Sequence, residues 1–225
     1  QHKILYTSHF LQILKMRNDY IKLINQGQIV DMNYFQVLTD YYIDKSILLY
    51  QYRNHFIEKL NSISQKIFYD ISTICGFHIE YKNSFSFEEY EYESMKKIIS
   101  NKIKKIYASE IKMKGTLYGP HKDDLEIFIH NQSIKTYGSQ GQQRMAVLAI
   151  KLAEIQMFKE FTGQYPILLL DDVFSELDDI RKNNLLKYIQ NDIQTIITTT
   201  DLSNIDKSIQ KNSKLIHIRN GSVIE

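Results

Sequence analysis

The sequence predicts an α/β protein, with a largely parallel sheet and flanking helices in its second half and a helical lobe in its first half. Proline-free stretches with helical periodicity dominate residues 1–112. Strands alternate with helices over residues 113–225, the pattern of a parallel sheet. The aliphatic run Ile167–Leu170 ends in two adjacent carboxylates, Asp171 and Asp172, and is typical of a strand buried on both faces.

Two long amphipathic patterns and a lysine-rich helix make up the predicted helical lobe, residues 1–112. One face of the first helix is apolar except for an arginine, and its residues are Phe10, Ile13, Leu14, Arg17 and Ile21. A turn at Asn25–Asp31 separates it from a second helix over about Phe35–Ile74. A strand at Phe77–Tyr81 and a helix over Phe87–Lys112 follow. We therefore expect an antiparallel helical hairpin or small bundle, in which the apolar faces of the helices pack in the core.

The second predicted lobe, residues 113–225, alternates short strands with helices. Its long apolar helix is expected to be buried, and Asn220-Gly221 predicts a type I′ hairpin. The predicted elements are strand Leu125–Ile129, a turn at Asn131-Gln132, return strand Ile134–Tyr137, helix Gln140–Phe161, strand Ile167–Leu170, helix Asp178–Ile189, strand Ile193–Thr198, helix Asn204–Gln210, and strands Leu215–Ile218 and Ser222–Ile224.

Composition narrows the class of protein. A single cysteine, Cys75, excludes an internal disulfide framework and favours a reducing, cytoplasmic location. No apolar run approaches the roughly 18 residues that cross a bilayer, so no membrane association is expected. The net charge of +2 is too small to indicate nucleic-acid binding by itself. Because the chain begins with Gln1, we expect a fragment or a processed product.

The adjacent carboxylates after the aliphatic run indicate metal and water chemistry. Asp171 is placed to hold Mg²⁺ and Asp172 to polarise a water. The alternative is that both simply cap the next helix. Ser175 and Asp178 follow in register, which favours the chemical role.

The residues before the long apolar helix predict an anion site. Ser139 and Gly141 stand at the helix start, where unpaired backbone N–H groups favour a terminal phosphate. An ordinary N-cap at Ser139 is the alternative. Glycine destabilises a helix start, and close approach of a phosphate would account for Gly141.

These motifs carry a family resemblance. Ser139–Arg144 resembles the signature motif of ABC-type ATPases, Ile167–Asp172 the Walker B strand, and Ser175–Asp178 the D-loop. Together with Gly-Pro-His-Lys-Asp-Asp at 119–124, they resemble the RecF family of bacterial DNA recombination and repair proteins. The resemblance covers most of the chain and implies the C-terminal part of an ABC-type ATPase head beside a helical lobe.

The resemblance implies an ATP-dependent homodimer that closes on double-stranded or gapped DNA and helps to load a recombinase, with RecR- and RecO-type mediators as partners. It implies ATP and Mg²⁺ as cofactors, with Asp171 as the metal ligand and Asp172 as the catalytic residue. Residues that contact the nucleotide of the other subunit would be Ser139, Gln140, Gly141, Gln142 and Asp178. Thr199 or Thr200 falls where many relatives carry a phosphate-sensing histidine.

A P-loop pattern, Gly-x-x-x-x-Gly-Lys-Ser/Thr, is absent from these 225 residues. In the family it lies in an N-terminal segment, so we expect the C-terminal two-thirds of such a protein, inactive alone. Most ABC-type ATPases have Glu where Asp172 stands, and the shorter carboxylate predicts slow DNA-dependent turnover in the full-length protein. A non-catalytic interaction module and the nucleotide-binding subunit of a membrane transporter are the alternatives.

Two further clusters have open interpretations. A DNA-binding surface is predicted from lysines between residues 96 and 105, although a solvated helix face is the common role of such a run. These lysines are Lys96, Lys97, Lys102, Lys104 and Lys105. His121 with Asp123 and Asp124 could form a metal site, but a turn with satisfied polar groups is the stronger interpretation.

Overall fold

The computed structural model describes residues 2–189, 193–202 and 207–224. Three long helices dominate its first half: α1 (His2–Asn25), α2 (Met32–Ser72) and α3 (Tyr92–Met113). They confirm the three predicted helices and the turn between the first two. Buried side chains from all three form one core, which includes Phe10, Leu14, Tyr42, Tyr50, Met95 and Ile99.

Helix α3 begins five residues later than predicted. Glu91 is its N-cap, and its carboxylate accepts a hydrogen bond from Ser94 N at 2.8 Å. Phe87 precedes the helix and lies in the core, with its ring centroid 4.9 Å from that of Tyr50. The predicted start at Phe87 is wrong because the core holds this ring outside the helix, and capping chemistry sets the first turn at Tyr92.

Contacts group the chain into two compact units. One contains Gln1–Lys59 and Ile79–Glu126, and the other contains Leu60–His78 and Ile127–Glu225. Helix α2 contributes its first part to one unit and its last part to the other. This grouping follows contacts rather than chain order, and the predicted division after residue 112 stays a prediction.

A small sheet follows the order β1 (Phe77–Lys82), β2 (Asp124–Ile129) and β3 (Gln132–Ser133). Strands β2 and β3 are antiparallel and joined at His130 and Asn131, which both have positive φ, 49° and 61°. This confirms the hairpin, with its turn one residue earlier than predicted.

The predicted return strand over Ile134–Tyr137 is wrong, because these residues form a single helical turn, α4. Gly138 N donates to Ile134 O at 3.0 Å and closes the turn. A Cβ at Gly138 would lie 2.5 Å from the buried Ile134 side chain, so only glycine permits this close return of the chain.

Two of the strands predicted for the largely parallel sheet form a parallel pair in the second unit. Its elements are α5 (Gln140–Thr162), β4 (Leu168–Asp171), a 3₁₀ helix (Val173–Glu176), α6 (Asp179–Ile189), β5 (Thr195–Thr198), α7 (Lys207–Lys211), β6 (His217–Arg219) and β7 (Ser222–Ile224). β4 and β5 are parallel, whereas β6 and β7 are antiparallel about Asn220 and Gly221, which both have positive φ. The type I′ prediction is thereby confirmed. The predicted helix over Asn204–Gln210 begins outside the described residues.

Burial on both faces of β4 is a prediction that the structure contradicts. Leu168 and Leu170 are buried, whereas Leu169 is 69% exposed. Helix α5 likewise buries one face around Met145 and Leu152 and exposes Phe161, which is 86% exposed. Among the described residues β4 pairs only with β5, and one face of this two-stranded sheet is uncovered. The aliphatic run therefore alternates between buried and exposed side chains.

Candidate nucleotide site

The two acids predicted for metal and water chemistry stand at the carboxyl end of the parallel pair. Asp171 is the last residue of β4 and pairs in register with Thr198, the last residue of β5. Asp172 follows in a left-handed conformation, with φ 49° and ψ 27°, and is the N-cap of the 3₁₀ helix. Both acids are exposed. The predicted position of the pair, at the end of a parallel strand, is therefore confirmed.

A threonine that sequence reasoning missed ties the two acids together. Thr198 Oγ1 donates to Asp171 Oδ1 at 2.5 Å and accepts from Asp172 N at 3.0 Å. Thr199, one of the two predicted phosphate sensors, donates to Asp201 O at 3.0 Å, and its sensing role stays a prediction. Thr200, the other, is exposed beyond the end of β5. The signal that could have found Thr198 is its position at the end of the neighbouring strand.

The start of α5 is closed by a capping box. Ser139 Oγ accepts from Gln142 N at 3.2 Å, and Gln142 Oε1 accepts from Ser139 N at 2.9 Å. These bonds order the first turn of the helix, as the N-cap interpretation predicted. A Cβ at Gly141 would meet nothing within 4 Å, so neither crowding nor backbone conformation explains the glycine there. Gln140 is exposed beside it.

A groove of about 890 Å³ connects this helix with the acids. Its lining includes Asp171, Asp172 just after β4, and Gln143 and Arg144 from the first turns of α5. Most of the other lining residues are apolar, among them Val147, Phe158 and Leu169. Gln143 Nε2 also donates to Ile134 O and Gly138 O, both at 3.2 Å, and so fixes the turn before α5. The groove thus combines carboxylates and a guanidinium with an apolar wall.

The predicted D-loop residue Asp178 caps helix α6. Its carboxylate accepts from Arg181 N at 2.9 Å and forms an ion pair with Arg181 Nη1 at 2.8 Å. The side chains of Ser175 and Glu176 lie outside the described residues. Asp178 is exposed, so the contact predicted for it across a dimer stays a prediction.

The Gly119–Asp124 motif belongs to the first unit and surrounds a buried carboxylate. Asp123, whose side chain is 1% exposed, accepts from Tyr81 OH at 2.6 Å, Ser84 N at 2.9 Å and Ser84 Oγ at 2.6 Å. Arg53 lies 3.7 Å from it and donates to Pro120 O. Burial raises the pKa of the Tyr81 hydroxyl, which stays protonated and able to donate. Within the described residues no cluster of three potential metal ligands exists. The motif is therefore a turn whose buried Asp123 carboxylate has its hydrogen bonds satisfied.

His121 in this motif is held in its neutral form. Burial lowers the pKa of His121, and its Nε2 lies 3.2 Å from Thr116 O. Nδ1 is buried with no hydrogen-bond partner among the described residues. Protonation would therefore place a charge in a site that does not solvate it.

We expect the free energy of unfolding to fall as the pH drops below about 6.5, the usual pKa of histidine. The unfolded chain gains a proton at His121 near pH 6.5, whereas the folded chain gains it only at lower pH. The contribution of neutral His121 to the free energy of unfolding is therefore fully present above about pH 6.5 and declines below it. Urea unfolding at several pH values would measure it. His121→Gln should flatten the profile and His55→Gln, at an exposed histidine, should not. Parallel profiles for His121→Gln and wild type would contradict this assignment.

The predicted DNA-binding lysines divide into two groups on α3. Lys96 lies 3.6 Å from the Asp44 carboxylate, and Lys102 lies over the Tyr118 ring at 4.3 Å from its centroid. Lys97, Lys104 and Lys105 are exposed and, at helical spacing of seven and eight residues, share one face. The structure therefore leaves three of the five lysines on a common exposed surface, and their DNA contact stays a prediction.

Comparison with known proteins decides the family. The DNA replication and repair protein RecF of Listeria monocytogenes serotype 4b (strain CLIP80459) is 40% identical over 217 residues, which are 96% of this chain and 59% of the relative. RecF of Staphylococcus carnosus (strain TM300) is 38% identical over 224 residues, 97% of this chain and 60% of the relative. The chain belongs to the RecF family. It spans about three fifths of the length of these RecF relatives. No family model matches it.

Solved RecF structures share the fold. A structure of the recombination mediator protein RecF with ATP, of the RecFOR pathway, has a TM-score of 0.78 at 31% identity and covers 90% of this chain and 54% of its own. A second RecF structure, with ATPrS, has a TM-score of 0.79 at 29% identity and covers 98% and 57%. The predicted α/β fold class is confirmed. These RecF relatives lend no support to the transporter alternative, and no described helix is long and apolar enough to cross a bilayer.

Proposed function

We propose that this chain is the part of an ATP-dependent DNA-binding protein of recombinational repair and replication that carries the Walker B acids and the signature motif. The observation that carries the proposal is the placement of Asp171 and Asp172 at the carboxyl end of β4, in one groove with Gln143 and Arg144. Because this placement occurs in a sequence of the RecF family, it supports ATP as the ligand. The ATP site requires a P-loop from outside these residues, so the chain by itself is inactive in this proposal.

The residues present fit a magnesium ion that is shared with a nucleotide. Mg²⁺ prefers carboxylate oxygens, keeps several waters, and is commonly held by one or two carboxylates together with substrate phosphates. Asp171 is an exposed carboxylate on the groove, and the described residues contain no larger cluster of potential ligands. When bound, the ion would neutralise negative charge on the phosphates. Asp171 is the residue that would hold it.

Asp172 is the residue that would orient and deprotonate the attacking water. Its carboxylate borders the same groove, one residue beyond Asp171. A carboxylate in that position accepts a proton from water as a general base. Because aspartate is one methylene shorter than glutamate, it reaches less far toward a bound water, which supports slow turnover.

The start of α5 would contact the terminal phosphate of a nucleotide held by a second copy. The first N–H groups of a helix have no acceptor within the helix, and they favour an anion. Ser139 accepts one hydrogen bond in the capping box, and its own O–H still remains to donate. Gly141 leaves open space beside these groups, and Gln142 retains its amide N–H groups. Nucleotide binding would thereby join two copies into a dimer, with Asp178 near the dimer interface.

ATP-driven dimerisation would bring the lysine faces of two copies to one DNA molecule and form a clamp that helps to load a recombinase. The face formed by Lys97, Lys104 and Lys105 is suited to backbone phosphates, which carry no sequence information. The RecFOR pathway named for the solved RecF relative supports RecR- and RecO-type mediators as partners. The DNA would be double-stranded or gapped.

The test is ATP-dependent binding of a fluorescent DNA duplex by the full-length gene product, measured by anisotropy at increasing salt. We expect tight binding only with ATP and Mg²⁺. Lys104→Ala with Lys105→Ala should weaken binding and reduce the slope of log K against log salt. The reduction should be about 0.9 for each DNA phosphate that a lysine no longer neutralises, or about 1.8 in total.

The matched control removes two exposed lysines from another helix of the same unit, Lys15 and Lys22 on α1. This variant should keep the wild-type slope. Equal slopes for all three proteins would remove the lysine face from the DNA interface. Binding that is the same with and without ATP would contradict the ATP switch itself.

A further inference from the structure

The hydroxyl of Thr198 bonds both acids at once. It is the donor to Asp171 Oδ1 at 2.5 Å and the acceptor from Asp172 N at 3.0 Å. The register of the parallel pair, Asp171 opposite Thr198, places it there. One oxygen atom therefore connects the side chain of the first acid to the backbone of the second.

The chemistry of threonine suits this double role. A hydroxyl has a single proton and two lone pairs, so donating to the carboxylate leaves a lone pair for the Asp172 amide. Since threonine is branched at Cβ, its χ1 angle is stiff, and the oxygen is held in place by strand β5. A hydrogen bond to one carboxylate oxygen fixes the orientation of Asp171 and leaves the other oxygen for a cation.

The backbone at Asp172 gives the second bond its importance. Asp172 has φ 49° and ψ 27°, a left-handed conformation that is unfavourable for a residue with a side chain. Thr198 Oγ1 restrains the Asp172 N–H in this conformation by accepting from it. Holding this amide fixes the direction in which the Asp172 side chain leaves the strand end.

We propose that Thr198 is the positioning residue of the ATPase site and sets both Asp171 for Mg²⁺ and Asp172 for water. It acts through the acids rather than on the nucleotide. The inference rests on the proposed function, because it assumes that these acids serve ATP hydrolysis.

The test compares Thr198→Val with Thr198→Ser in the full-length gene product. Valine keeps the shape and removes both hydrogen bonds, whereas serine keeps the hydroxyl. Partners that orient metal ligands are commonly worth about 10–100-fold in affinity or activity. We expect Thr198→Val to lower kcat by about 10–100-fold and to raise the Mg²⁺ concentration for half-maximal activity. Thr198→Ser should recover most of both.

A second readout does not require turnover. Binding of Mn²⁺, followed by electron paramagnetic resonance with a non-hydrolysable ATP analogue, should weaken in Thr198→Val and recover in Thr198→Ser. Thr195→Val is the matched control, since Thr195 lies on the same strand and its hydroxyl donates to Ile193 O at 3.0 Å. It should leave kcat and Mn²⁺ binding unchanged.

The outcomes separate this inference from the proposed function. If the wild-type protein hydrolyses ATP and Thr198→Val matches it in kcat and Mn²⁺ binding, the role of Thr198 is wrong and the proposed function stands. Loss of activity in Thr195→Val equal to that in Thr198→Val would also overturn it, since β5 would then act only as structural support. A wild-type protein without ATPase activity would overturn this inference, and one that also lacks ATP-dependent DNA binding would overturn the proposed function.

Discussion

Replacing Asp172 by asparagine should lower kcat for ATP hydrolysis in the full-length gene product by about 10²–10⁴-fold, the usual contribution of a general base. The amide has almost the shape of the carboxylate but cannot take a proton from water. Asparagine also tolerates the left-handed conformation that the backbone adopts at Asp172, so the fold should be retained. Steady-state hydrolysis with and without duplex DNA would measure the loss.

The KM for ATP separates lost chemistry from lost binding. Because the carboxylate would act mainly in the transition state, KM should stay within about twofold of wild type while kcat falls. Asp179→Asn is the matched control, since Asp179 is exposed in the first turn of α6 and lies 3.6 Å from Lys182. It should leave kcat unchanged. Turnover of Asp172→Asn within about threefold of wild type would show that Asp172 is not the base.

Elements with both periodicity and capping residues could be predicted closely from the sequence. Helix α5 begins at Gln140 as predicted because the Ser139 capping box sets the position locally. The stretch Ile134–Tyr137 shows the opposite case. Its β-branched and aromatic residues have strand propensity, but four residues are too few to outweigh the tight turn that Gly138 permits.

Burial could not be predicted from the aliphatic run at Ile167–Leu170. The composition indicates that a strand forms there, but it does not say how many of its faces are covered in the described residues. The exposed Leu169 and the buried Leu170 show that one face is packed. An apolar run therefore predicts a strand that can be buried on both faces. The elements that pack on the strand decide how many of its faces are buried.

Some residues of the candidate site could be predicted from their neighbours in the sequence, whereas others depend on contacts between distant parts of the chain. The places of Asp171, Asp172 and Ser139 at the ends of their elements could be predicted, because these places follow from neighbouring residues. Thr198 could not, since its contact with Asp171 depends on the register of β4 against β5. A shift of one residue places a neighbouring threonine on the other face of the strand. Local motifs thus identify the acids, whereas strand register selects the hydroxyl that supports them.

Removal of the buried charge of Arg17 should lower the free energy of unfolding by about 3–5 kcal/mol. Arg17 is fully buried on the otherwise apolar face of α1, and its guanidinium bonds both oxygens of Glu110 at 3.3 and 2.6 Å. It also bonds Thr39 and Thr116. Arg17→Met fills a similar volume but leaves the Glu110 carboxylate, whose side chain is 1% exposed, without its counter-charge. Urea unfolding followed by circular dichroism would measure the loss.

A double variant tests whether the stranded charge is the cause. Arg17→Met with Glu110→Gln removes both charges and keeps an oxygen to accept from Leu117 N, which Glu110 now bonds at 3.1 Å. It should recover more than half of the loss, because a neutral amide is far less costly to bury than an unpaired carboxylate. The exposed pair Lys22 and Asp19 is the comparison, and Lys22→Ala should change stability by less than about 1 kcal/mol. If Arg17→Met lowered the free energy of unfolding no more than Lys22→Ala, water would have to reach Glu110. The Arg17–Glu110 pair would then not behave as a buried ion pair.

The long separation along the chain, from residue 17 to residue 110, also explains why helical periodicity placed Arg17 correctly on the buried face of α1 without revealing its partner.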